Sequence, residues 1–116
     1  MIKKNFKEVE EETVTKENSA HTTIRWLITR EDGAPRFTMR RFKILPGGEI
    51  GMHQHPEEHE IYILEGEGKV VDQNKNIMQV SQGDVLYVPP QELHGYKNDG
   101  EEPFVFLCVI PYLDSP

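Results

Sequence analysis

Between Gly51 and Glu60 the sequence GMHQHPEEHE packs three histidines and three glutamates into ten residues. Neutral imidazole is the commonest side-chain ligand of divalent transition metals, and carboxylates suit harder ions. His53 and His55 are two apart, so an extended chain points both to one side, where a single ion can meet them. His59 keeps that parity and Glu60 does not, although Pro56 between them can shift the register. Taken alone, the stretch leaves two readings open: a metal site, or a polar loop that happens to be rich in histidine.

The elements around it read as strands. From Thr22 onward the chain runs through TTIRWLI, RFTMRRFKIL, IYIL, KVV, IMQV, VLYVP and PFVFLCVI, separated by the turn signals EDGAP, PGG, GEG, QNKN, SQGD and NDG. Many short strands with no sustained helical period predict an all-β, antiparallel sandwich or barrel. At 116 residues one domain is expected, with residues 1–20 as an N-terminal arm or edge segment and 21–116 as a single β-barrel. The first part, KKNFKEVEEETVTKENSA, is charged and aperiodic, which places it on the surface as an extended or loosely ordered segment.

Charge and composition narrow the partners. A net charge of −7 disfavours nucleic acid and anionic membrane, leaving a small molecule as the expected partner. No apolar run is long enough to span a bilayer, and MIKKNFKEVEEE turns acidic where a signal peptide would be apolar, so a cytoplasmic location is expected. The single cysteine, Cys108, has no internal disulfide partner.

Parity also selects pocket candidates. In TMRRFKIL, Arg40, Phe42 and Ile44 share the face with fewer charges, which turns Arg40 toward the interior. A guanidinium there could hold a carboxylate bidentately; the alternative is a surface ion pair. Tyr96 lies two beyond His94, so both face the same side, and its phenol either donates a hydrogen bond to a metal-bound ligand or packs as an ordinary aromatic. Phe106 and Cys108 share a face of the last apolar run, where Cys108 is either a small filler or a residue acting behind a metal ligand. Ile50 is an expected apolar wall, and His21 an expected surface residue. FVFLCVI is apolar on both faces, so its outer face is expected to meet another sheet or subunit, and a homodimer follows.

The two histidine-bearing segments resemble the paired motifs of the cupin family. Gly47, His53, His55 and Gly66 fall at the spacings of the first motif, and Gly83, Pro89, His94 and Asn98, with His94 in a turn after a strand, at those of the second. The resemblance implies a double-stranded β-helix, or jelly-roll barrel. Gln91 stands where the second motif has glycine. His59 stands where the first has glutamate, with Glu60 the runner-up at the alternative spacing. HPEEHEIYILEGEG is also similar to small single-domain manganese cupins with four histidine ligands, which implies a site of His53, His55, His59 and His94. Such a site would hold one divalent metal, Mn or Fe by preference, with Ni, Zn or Cu able to enter.

Four neutral imidazoles in an octahedral shell leave two adjacent positions for oxygen or a chelating molecule, whereas a tetrahedral ion would be closed. The expected function is therefore a metal-dependent oxygenase of the dioxygenase kind, with Arg40, Tyr96 and Cys108 as candidate catalytic residues. Two alternatives stand beside it: a non-enzymatic ligand-binding or sensing protein, and a metal-dependent isomerase or lyase.

Overall fold

The computed structural model describes residues 1–114. Its strands are β1 (Glu12–Thr13), β2 (Ala20–Ile28), β3 (Phe37–His53), β4 (His59–Glu65), β5 (Glu67–Val71), β6 (Ile77–Ser81), β7 (Val85–Val88), β8 (His94–Lys97) and β9 (Phe104–Pro111). The described helical residues are two 3₁₀ turns, Phe6–Glu8 and Arg30–Asp32. All strand pairings are antiparallel, in the order β6-β5-β8-β3-β9-β4-β7, with β2 along β3 and β1 along β2. The sheet curls on itself into a jelly-roll barrel, as the strand pattern and motif resemblance predict.

Two turn assignments read from the sequence are corrected. Pro46-Gly47-Gly48 does not end a strand: β3 runs through it and changes partner there, pairing with β9 up to Ile44 and with β8 from Glu49. Gly47, at φ 82°, supplies the bend that lets one strand serve both halves of the barrel. The HGYK segment is strand β8, so His94 opens a strand instead of lying in the preceding turn. At the β4–β5 corner Gly66 has φ 75°, and a Cβ there would lie 2.1 Å from the Pro103 carbonyl oxygen, so only glycine fits.

Alternation places the core as parity predicts. On β4, His59, Ile61 and Ile63 are buried while Glu60 and Tyr62 are exposed. On β3, Phe42 and Ile44 are buried, with Phe42 stacked on Phe106 at 5.3 Å between centroids. On β9, Phe104, Val105, Phe106 and Cys108 are buried, and Leu107 and Val109 are half-buried on the outer side.

The N-terminal segment is more firmly attached than its charged composition suggests. β1 pairs with β2, Phe6 lies under the Arg41 guanidinium at 4.0 Å, and Arg25 donates to the carbonyls of Phe6 and Val9. Val14 packs against the barrel core.

Candidate metal centre

His53 is the last residue of β3 and His94 the first of β8, and the two are directly paired across the sheet. A register shift between Ile50 and His53 aims the end of β3 inward. His55 follows on the connection to β4, and its carbonyl accepts from the Gln91 amide at 2.9 Å, tying the first histidine segment to the loop that carries the second. Gln91 holds φ 65°, so a glutamine here adopts the left-handed turn that the motif reserves for glycine.

His53, His55 and His94 offer ligand atoms all within 4.8 Å of one another, a cluster compatible with a divalent metal. Each orienting contact is local. His53 donates Nδ1–H to the Gly51 carbonyl at 2.8 Å, and His94 donates Nδ1–H to the Glu92 carbonyl at 2.7 Å, which leaves both Nε2 lone pairs facing the cluster. His94 Nε2 is buried with no hydrogen-bond partner. A buried lone pair among imidazoles is a costly arrangement unless a cation or donor meets it, so the donor set fits a resident metal ion.

His59 stands beside this cluster. Its Nε2 is 2.5 Å from His55 Nε2, the two rings are stacked at 4.3 Å, and its Nδ1 is 3.2 Å from Cys108 Sγ. Arg40 Nη2 donates to the same sulfur at 2.9 Å, and the guanidinium Nε is buried without a partner. Tyr96 lies edge-on to His94 at 5.5 Å between centroids, buried, its hydroxyl unpartnered. These groups line a cavity of about 70 Å³ whose apolar wall is Phe42, Ile50 and Phe106. Glu60 is exposed on the outer face and does not line it, and His21 is exposed at a bulge.

Burial fixes the protonation states. It holds His59 down to about 2, with the Arg40 charge adding to the effect, and His94 down to about 4, opposed in part by the Glu92 carbonyl. His55 is also lowered, mainly by burial. His55, His59 and His94 are thus held neutral at physiological pH, as ligands must be. Burial pushes the Tyr96 phenol well above its ordinary value, and raises the Cys108 thiol against the opposing pull of Arg40.

Two cavity residues escape the sequence pattern. Val14 and Glu17, from the N-terminal segment, line the same cavity as His53, His55 and His59. Their one sequence signal is a valine amid charged residues, too weak to place it.

An antiparallel jelly-roll with an inward cluster of imidazoles defines a β-barrel protein with a metal-compatible centre. Residues 40–110 match the cupin domain family, and the chain belongs to it. It is 41% identical over 71 residues to the oxalate-binding protein of Thermotoga maritima, covering 60% of this chain and 58% of that protein. It is 36% identical over 64 residues to a glucose-6-phosphate isomerase of Thermococcus onnurineus, covering 51% of this chain and 34% of that one. The chain thus spans less than two thirds of the length of these curated relatives. Among solved structures, the polyketide cyclase RemF of Streptomyces resistomycificus superimposes with a TM-score of 0.92 at 33% identity, over 100% of this chain and 82% of RemF. A Thermotoga maritima protein described as a predicted oxalate decarboxylase gives 0.83 at 28% identity, over 94% and 97%.

Proposed function

We propose that His53, His55, His59 and His94 together hold one divalent metal ion, Mn or Fe by preference, and that the chain is an enzyme converting a small organic anion in a dioxygen-dependent reaction. The observation that carries the metal assignment is the orphaned, buried Nε2 of His94 inside a set of imidazoles. His59 joins the set if its Nδ1–H donates to Cys108, because that tautomer turns the Nε2 lone pair toward His55 and the cluster. When bound, the ion supplies Lewis-acid polarisation and a place for oxygen.

The anion follows from charge. Imidazole binds a metal as the neutral ring, so the ion would keep its two positive charges, and Arg40 adds a third at the cavity wall. Arg40 holds the ligand's negative end, Tyr96 donates its firmly held phenolic proton to a ligand oxygen, and Phe42, Ile50 and Phe106 exclude water around it. Tyr96 and Cys108 both keep their protons near neutral pH, so neither is poised as a proton shuttle of the kind a sugar isomerase uses.

A second reading, non-oxidative lyase or cyclase chemistry, or binding alone, is favoured by the likeness to RemF and to the oxalate-binding protein. Both readings call for an oxygen-rich ligand. The deciding experiment is oxygen uptake by Mn- and Fe-reconstituted protein supplied with small dicarboxylates and enolisable keto acids. Oxygen-coupled turnover is expected; equal turnover without oxygen would favour the second reading, and tight binding without turnover a binding protein. His59→Ala should weaken metal uptake by about 10- to 100-fold, with Glu60→Ala silent; the reverse pattern would overturn the ligand assignment. A cytoplasmic location belongs to the same proposal; among the described residues no helix is long and apolar enough to cross a membrane.

A further inference from the structure

The cavity has a wall that belongs to no barrel strand. Val14 and Glu17 line it from the N-terminal segment, between β1 and β2. Val14 is anchored through its amide to the Thr22 carbonyl at 3.0 Å, and beyond it the Gly51 amide donates to the Glu17 carbonyl at 2.8 Å, joining the loop to β3. Lys16 to Ser19 close a turn through the Ser19 amide and the Lys16 carbonyl at 3.0 Å, with Glu17 and Asn18 both at φ 54°. Positive φ at two successive central residues suits Asn-Gly best, so Glu-Asn is held there at a conformational cost that detachment would relieve. Thr15 to Asn18 are exposed, which leaves the Glu17–Gly51 hydrogen bond, the Val14 side chain and the Val14 amide on the Thr22 carbonyl to hold the wall shut.

Gly51 is also the residue whose carbonyl orients His53, so one residue touches both the wall and a metal-facing ring. Its glycine identity serves the wall. Gly51 is not among the residues at positive φ, so its backbone would accept a side chain, but a Cβ would lie 2.6 Å from the Glu17 carbonyl oxygen and 3.2 Å from Asn18 Cβ. With the wall in place, the cavity is small, about 70 Å³.

Resting on the metal assignment proposed above, we infer that Val14 to Asn18 form a movable wall of the metal cavity, latched by the Glu17 carbonyl on the Gly51 amide, and that Val14 limits the size of ligand admitted. Docked, the wall selects molecules of a few heavy atoms. A larger ligand binds only when the latch opens.

The test uses cobalt-loaded full-length protein and two exogenous ligands followed by visible absorption: azide, which fits the closed cavity, and 4-phenylimidazole, which does not. Gly51→Ala and Val14→Ala should each raise the affinity for 4-phenylimidazole relative to that for azide by at least about tenfold over wild type. Hydrogen exchange at residues 15–18, in metal-free and loaded protein, should accelerate in Gly51→Ala. Exchange that accelerates without any gain in 4-phenylimidazole affinity relative to azide would overturn the size-limiting role, and unchanged exchange would overturn the latch. Failure of wild type to take up cobalt would instead refute the metal assignment, while exchange in the metal-free variant still decides the latch.

Discussion

Acidifying the metal-free protein from about pH 7.5 to about pH 5 should cost it a large share of its stability chiefly through His59 and His94, with His55 adding in the same sense. In the folded chain they titrate at about 2 and about 4, mainly because burial disfavours the imidazolium, whereas in the unfolded chain both titrate near 6.5. The unfolded chain therefore binds more protons than the folded one throughout this window. The stabilisation is fully present above about 6.5 and is lost as pH falls below it toward the folded values. At about pH 5 the solution lies about 1.5 units below the unfolded value of each ring, worth about 2 kcal/mol per ring at about 1.36 kcal/mol per unit; screening by residual solvent reduces the pair to about 3 kcal/mol. That is a substantial part of the roughly 5–15 kcal/mol that holds a domain folded.

Carboxylates do not blur this window. Glu11, Asp32 and Asp99 lie below their ordinary values in the folded chain through contacts with Lys43, Lys4 and Lys69, so their stabilisation is lost at still lower pH. The assay is urea unfolding in the presence of a chelator, followed by far-ultraviolet circular dichroism at the two pH values. With a slope of about 1–3 kcal/mol per molar, the midpoint should fall by about 1–3 M without a change in slope. His59→Leu, which removes one titrating ring, should roughly halve that fall. Equal midpoints at the two pH values, or a higher one in acid, would refute the assignment of His59 and His94 as rings buried in their neutral form.

Three further outcomes are expected. Asn98 is fully buried, donates to the Ile44 and Glu102 carbonyls at 2.8 and 2.9 Å and accepts from the Gly100 amide, so Asn98→Ala should cost about 2–4 kcal/mol in denaturant unfolding. Gln91→Gly should raise stability by about 0.5 kcal/mol, measured the same way, because relief of the left-handed strain outweighs the entropy glycine adds to the unfolded chain. We propose that the outer face of β4, β7 and β9, where Tyr62, Val85 and Tyr87 are exposed beside Leu107 and Val109, joins two copies of the chain; sedimentation should give a dimer, and Tyr87→Glu a monomer.

What could be read from the sequence depended on how local the determining physics is. Alternation along a strand is a property of consecutive residues, so Arg40, Phe42 and Ile44 could be placed on the inner face of β3 from their neighbours alone. That expectation matches the observed burial and cavity lining. The Pro46-Gly47-Gly48 bend misled because a turn signal specifies a change of direction, and whether a strand ends there depends on what pairs with either side of it. Here β9 and β8 take over from one another across the bend, and the partner residues are some fifty to sixty positions away.

The N-terminal segment is the extreme case. Its residues carry no period of their own, and what holds Val14 and Glu17 at the cavity is a carbonyl of Thr22 and an amide of Gly51. Backbone groups are the same in every residue, so such an attachment leaves its trace in the partner, as a glycine where a Cβ would collide. Gly51 lies in β3 just before the histidine pair, where its backbone does not require glycine and the neighbouring carbonyl does. The residue that reveals the wall is therefore located in the metal segment, so a substitution there tests the attachment of a segment more than thirty residues earlier in the chain. If Gly51→Ala leaves residues 15–18 as protected as in wild type, the glycine plays no part in the attachment and the cavity is bounded by the barrel without help.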